Sequence, residues 1–161
     1  KVLKEVIMEH PNIEFLFIGD YDIETEFVNF LKSSSNALLL GKRTGSEMMS
    51  HLSSSDILML CYKKMEGYNA DNSHKVLEYL RTGKTIVSSS LSVYKDNTLL
   101  QFSEAIDNSD YPQVFRETLI NLAELNSEIN SIKRIRFANQ NTYSKHVERI
   151  EKFMKIGLDG S

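Results

Sequence analysis

The chain has one cysteine, two prolines and no tryptophan among its 161 residues. The single thiol, Cys61, excludes an internal disulfide and any cysteine-based zinc cluster, and it fits a reducing compartment. No apolar run approaches the roughly 20 residues that span a membrane. Basic charge is not in excess: 19 Lys and Arg face 22 Asp and Glu, for a net charge of −3. That removes a global electrostatic case for nucleic-acid binding. There is no internal repeat, no P-loop signature and no Ser-His-Asp arrangement. His10, His51 and His146 lie in helical segments without ligand spacing, which suits structural or surface roles. The serine runs at 33–35, 53–55 and 88–90 read as turns or strand ends, not as linkers.

What is present is ordinary for a soluble globular protein: 41% hydrophobic and 25% charged residues, with enough length for one domain and a real core. Lys1 opens inside a helical pattern without an initiator methionine, so the chain is expected to be a piece of something longer. A polar stretch at 157–161 is expected to be a disordered tail.

Periodicity sets the element order. Val2, Leu3, Val6 and Ile7 recur at helical spacing, and Pro11 stops that helix. Residues 13–18 form a β-rich run closed by Gly19. A helix is predicted over 24–32, a short strand over 37–40, and a helix over 44–52 with Thr44 or Ser46 as cap. Residues 56–62 form another apolar strand, followed by a polar loop to Asn72. Helix and strand fill 73–88, a short last strand falls in 98–102, and the remainder is helical with a break near 137–143. Apolar strands without polar alternation, interleaved with helices, predict a parallel sheet covered on both faces. The expected fold is a doubly wound, three-layer α/β/α Rossmann-like domain over 1–156, whose ligands bind beyond the carboxyl ends of the strands.

The most informative stretch is 72–87: a polar loop, a helix start, a helix, the stop Gly83 and a buried strand. Asn72 and Ser73 fit an N-cap. Free N–H groups at that start, with Lys75, suit a phosphate. His74 is a further donor there, or a solvated first-turn histidine. About one turn on, Glu78 offers a carboxylate able to accept two vicinal hydroxyls, as on a ribose; the plain alternative is a solvated helix carboxylate paired with Lys75. Lys133, Arg134 and Arg136 form a small basic cluster, read as a solvated helix face or as a contact for anionic lipid. Asp20 and Asp22 after the first strand raise a magnesium or receiver-like pocket; no metal site is expected. Cys61 is expected as a small buried hydrophobe. Tyr62 ends its strand, either packed or facing the cleft.

Several segments together resemble the C-terminal, donor-binding half of GT-B glycosyltransferases of the group 1-like kind. These are residues 10–19, the strand–loop–helix–strand run through Leu38, Gly41, Met48 and Met59, residues 72–87, and the turn at 137–143. The resemblance implies a nucleotide-diphosphate-sugar as donor substrate, no cofactor and no metal. It places donor-binding residues at Lys42 and Arg43 (near the base), Glu66 (near the sugar), and Asn72, Ser73, His74, Lys75 and Glu78 (diphosphate and ribose). It also implies bacterial cell-surface polysaccharide or glycolipid synthesis in the cytoplasm, with a sugar or lipid-linked acceptor, and peripheral contact with the inner membrane face as the accompanying expectation. Residues 126–156 would pack toward an N-terminal domain outside this chain. Two departures stand out. Ala70 occupies the place of the first of two family glutamates, leaving retention or inversion open. The family's domain also opens with a strand that this chain lacks, leaving an exposed sheet edge. The fragment alone is expected to transfer no sugar, and no catalytic residue is assigned to it. The competing readings are a non-catalytic receiver-like domain using Asp20, Asp22, Asp56 and Lys84, and an epimerase-like relative of the same fold.

Overall fold

The computed structural model describes residues 1–21, 24–62, 73–91, 94 and 98–159. The elements run α1 (Val2–Glu9), β1 (Phe15–Ile18), α2 (Glu26–Ser33), β2 (Ala37–Gly41), α3 (Gly45–Ser54), β3 (Ile57–Leu60), α4 (Ser73–Arg81), β4 (Thr85–Ser88), β5 (Gln101–Phe102), α5 (Tyr111–Ile120), α6 (Leu122–Leu125), α7 (Glu128–Gln140) and α8 (Tyr143–Asp159). Every strand pairing is parallel. The expected α/β fold with a parallel sheet is therefore present. The sheet comes in two pieces, β1–β2 and β3–β4–β5.

Alternation along the strands sorts the side chains into two cores, because successive residues point to opposite faces. Phe15, Ala37 and Val87 point to one face, where Val6 and Ile7 of α1, Leu31 of α2, and Tyr111 and Phe115 of α5 cover them. Leu58, Leu60 and Ile86 point to the other, against Leu52 of α3, Val76 and Leu80 of α4 and Ala138 of α7. Each fully buried aliphatic side chain contributes about 1.5–3 kcal/mol, so α4 is held chiefly by Val76 and Leu80, both fully buried. The same spacing turns Lys75 and Glu78 to solvent.

Local signals explain the helix ends. Thr25 caps α2 by accepting a hydrogen bond from the Val28 N–H. Thr44 and Glu47 form a reciprocal capping box at the start of α3, which selects Thr44 over Ser46 as the cap. Gly83 ends α4 with φ of +73°. A Cβ there would stand 2.1 Å from the Ser131 hydroxyl of α7, so this glycine also permits the close approach of α4 and α7.

Two expectations are corrected. The helix α8 continues to Asp159, so the anticipated tail from 157 is helical through 159, an extension of the amphipathic pattern set by Val147, Ile150 and Met154. Arg134 is not a surface cation: it is 2% exposed. Its Nη1 donates to the Gly83 carbonyl at 2.9 Å, Nε to Leu99 at 3.2 Å and Nη2 to Leu125 at 2.6 Å. The basic cluster on α7 is thus Lys133 and Arg136 alone, both exposed.

Candidate functional site

Within each piece of sheet the described pairings are parallel, so the carboxyl ends of β1 and β2 lie together, as do those of β3, β4 and β5. The amino ends of α2, α3 and α4 follow β1, β2 and β3 in the chain. Helix amino ends carry partial positive charge and free N–H groups. In α3 the Thr44–Glu47 box uses those groups internally. α4 begins at Ser73, where the sequence predicts the helix start. Lys75 and Glu78 follow within its first two turns, three residues apart and on the same exposed face. Neither forms an ion pair with another described residue.

At the β1–β2 side, Lys42 is ion-paired with Asp20. Both are solvent-exposed, so the pair contributes little to stability and opens readily for a competing anion. Arg43 is exposed, and its Nη1 donates to the carbonyl of Lys42 at 3.3 Å. The Tyr21 hydroxyl accepts a hydrogen bond from the Gly41 N–H. Together with the Gly19 N–H to Gly41 carbonyl bond of 3.1 Å, this ties the two loop starts together. The structure thus places Lys42 and Arg43 just past the carboxyl end of β2, and Lys75 and Glu78 in the first two turns of α4. Glu66, Ala70, Asn72 and Asp22 lie outside the described residues, as do the side chains of Ser73 and His74.

The sequence missed the polar ties at the carboxyl ends of β3 and β4. Ser89 joins β3 to β4 beyond their ladder: its hydroxyl accepts from the Tyr62 N–H at 2.9 Å, and its own N–H donates to Leu60 at 2.8 Å. Asn108, with φ of +61°, donates from Nδ2 to the Tyr62 carbonyl at 2.9 Å. Its Oδ1 is buried without a partner among the described residues. Asp110 holds the preceding turn, accepting from the Ser103 hydroxyl and, at 2.8 Å, from the Glu104 N–H. Burial opposes the charge of Asp110, but the Ser103 hydroxyl and the N–H groups of Glu104 and Ala105 outweigh it and hold the carboxyl below its ordinary value. The only signal in the sequence was the Asp-Asn-Ser-Asp cluster at 107–110, whose residue types favour side-chain-capped turns.

Burial raises the Cys61 thiol, and the Ser89 hydroxyl offsets this only in part; the side chain packs, partly buried, against the α1–α5 core. Tyr62 packs half-buried against the other core. Among the described residues, the groups of the receiver-like reading stand at opposite strand ends. Asp20 follows β1 at the carboxyl side, whereas Asp56 and Lys84 precede β3 and β4 at the amino side, where the Asp56 carbonyl accepts from Asn126 Nδ2 at 2.8 Å. No group of three or more acidic, His or Cys side chains able to hold a metal occurs among the described residues. A groove of about 650 Å³ opens elsewhere, between α7 and α8, lined by Ile132, Ile135, Arg136, Lys145 and Arg149. No helix among the described residues is long and apolar enough to cross a membrane. No protein-family model matches the chain, and no curated protein matches it.

Proposed function

We propose that the chain is the donor-binding, C-terminal half of a GT-B glycosyltransferase acting in polysaccharide or glycolipid synthesis. On this reading the first-turn N–H groups of α4 and Lys75 hold the diphosphate of a nucleotide-sugar, and Glu78 accepts the two ribose hydroxyls. Lys42 and Arg43 are assigned to the base, and Glu66 to the sugar, by the resemblance alone. Fixed N–H dipoles and a lysine would stabilise the leaving diphosphate by preorganisation, with no cofactor. The observation that carries the reading is the placement of Lys75 and Glu78: a cation and a carboxylate, exposed and one turn apart, on a helix that follows the carboxyl end of β3, a strand of a parallel sheet. That is where ligands of doubly wound domains bind. Further support comes from α8, which turns Tyr143, Ile150, Phe153 and Met154 to solvent, a face suited to an acceptor domain.

The test is titration with UDP, GDP, ADP, CMP and dTDP, followed by amide chemical shifts, with Glu78→Ala as the comparison. Saturable shifts at residues 73–78 for one base, with affinity reduced about tenfold in the variant (the loss of about 1.4 kcal/mol), support the reading. A full-length protein that binds none of the five nucleotides defeats it.

A further inference from the structure

Basic charge is concentrated in one part of the chain. Residues 126–156 hold seven Lys and Arg against three Asp and Glu, whereas the whole chain holds 19 against 22. One of the seven, Arg134, is buried. Of the others, Arg136, Lys145 and Arg149 line the groove of about 650 Å³ between α7 and α8. On α7 the lining is completed by Ile132, Ile135, Asn139 and Gln140. Steps of three and four residues place all of these on a single helix face. That face is apolar at Ile132 and Ile135 and polar beyond them. On α8, Lys145 and Arg149 lie one turn apart. Tyr143, Ile150 and Met154, exposed on α8, recur at steps of seven and four, so they form a stripe on another side of that helix. The groove thus shares no residue with that apolar stripe, nor with Lys75 and Glu78.

The three cations are open to a carboxylate. Arg136 is exposed and has no hydrogen bond or ion pair with another described residue. Arg149 donates from Nη2 to the Gln140 carbonyl at 2.5 Å and from Nη1 to Asn141 Oδ1 at 3.4 Å. Both acceptors are neutral, so these bonds aim the guanidinium without cancelling its charge. Lys145 pairs with Glu148 at 2.7 Å, but both ends are exposed, and such a pair yields readily to a competing anion. Beside the cations, Ile132 is 47% exposed and Ile135 half-buried.

We infer that the α7–α8 groove is a docking site for an acidic, amphipathic helix of a partner protein. Apolar side chains of that helix lie on Ile132 and Ile135, and its carboxylates meet Arg136, Lys145 and Arg149. From Ile132 to Gln140 the lined face runs about 12 Å, a little over two helical turns. That is the length over which residues at i, i+3, i+4 and i+7 anchor a helix in a groove. Charge complementarity fixes the sign of the partner and speeds its encounter. A flat anionic bilayer fits less well, because it does not enter a groove whose apolar wall includes the half-buried Ile135. The inference does not rest on the nucleotide-sugar reading.

The probe is an acetylated and amidated peptide of about 14 residues made of Glu, Leu and Ala. Leu stands at i, i+3, i+4 and i+7, with Glu on the flanks. It is titrated into the chain and followed by amide chemical shifts, beside the same peptide with Gln for Glu and beside vesicles of phosphatidylglycerol and phosphatidylcholine. Expected are saturable shifts confined to 132–149, with a Kd of about 10–100 μM that weakens as salt is raised. The Gln peptide should bind at least about tenfold more weakly. Arg136→Glu and Ile132→Ser, both at exposed positions, should each weaken the Glu peptide about tenfold while leaving the thermal melt unchanged. Equal binding of the Glu and Gln peptides, shifts outside the groove, or no binding at about 1 mM overturns the inference. So does binding of the vesicles without the peptide, which makes the face a lipid contact. Self-association of the chain that Arg136→Glu abolishes also overturns it, since a second copy then fills the groove. Nucleotide shifts at 73–78 are read independently, so failure here leaves the donor-site test untouched.

Discussion

The guanidinium of Arg134 donates to the carbonyl of Gly83 at 2.9 Å, fastening the middle of α7 to the residue that ends α4. The same group reaches Leu99, Leu125 and, at 3.3 Å, the Thr85 hydroxyl. The planar fork of five donors is what allows one side chain to satisfy carbonyls from separate loops. Arg134→Met should destabilise the fold by about 3 kcal/mol, because several buried carbonyls lose their donor at once. Arg134→Lys should recover little of that, having no fork. Urea unfolding reads both: the midpoint falls with the slope unchanged.

Gly83 makes a second expectation. Its φ of +73° and the 2.1 Å separation between a built Cβ and Ser131 Oγ act together in Gly83→Ala. The left-handed backbone alone costs about 1–2 kcal/mol, and displacement of Ser131 adds to it. Gly83→Ala combined with Ser131→Ala should regain only part of the loss, since the Ser131 Cβ and Ile135 Cδ1 still stand 3.2 Å away. Thermal melts of the two variants separate backbone strain from clash.

Asn126 bridges the amino ends of two strands. Its Oδ1 accepts from the Thr85 N–H at 2.9 Å and the Thr85 hydroxyl at 2.8 Å, while Nδ2 donates to the Asp56 carbonyl. Asn126→Ala should cost about 2 kcal/mol and speed hydrogen exchange at the Thr85 amide more than at Ile86.

Asp110 gives a pH expectation. Its carboxyl is held below the ordinary value in the folded chain. A depressed carboxylate contributes stability that is present in full above its unfolded pKa, about 3.9. That contribution is lost as the pH falls through the lower folded value. The turn at 103–110 should therefore loosen on acidification, seen as faster exchange at the Glu104 and Ala105 amides. Asp110→Asn should lack that acid-dependent step.

Cys61 should react slowly with thiol reagents at neutral pH, because burial raises its thiol and only the thiolate attacks. Unfolding in denaturant should restore the rate of a free cysteine. A fast reaction in the native chain would show that the carboxyl end of β3 is open to solvent.

The sequence by itself determined the elements and their kind. Apolar runs at 13–18, 37–40 and 56–62, separated by helical periodicities, can be buried on both faces only in a parallel sheet, and each appears as a strand. It also determined that Lys75 and Glu78 face solvent at the start of α4, since Val76 and Leu80 take the buried side of a 3.6-residue repeat. Tertiary structure alone decided what no local pattern encodes. Arg134 sits in a basic cluster by sequence, yet it lies inside because carbonyls from loops distant in the chain converge on it. Asn108 and Ser89 both bond to the backbone of Tyr62 because β3, β4 and the turn before α5 meet there. Strand order belongs to the same class: it is set by handed connections and shared cores, which are relations between elements and not properties of any one of them.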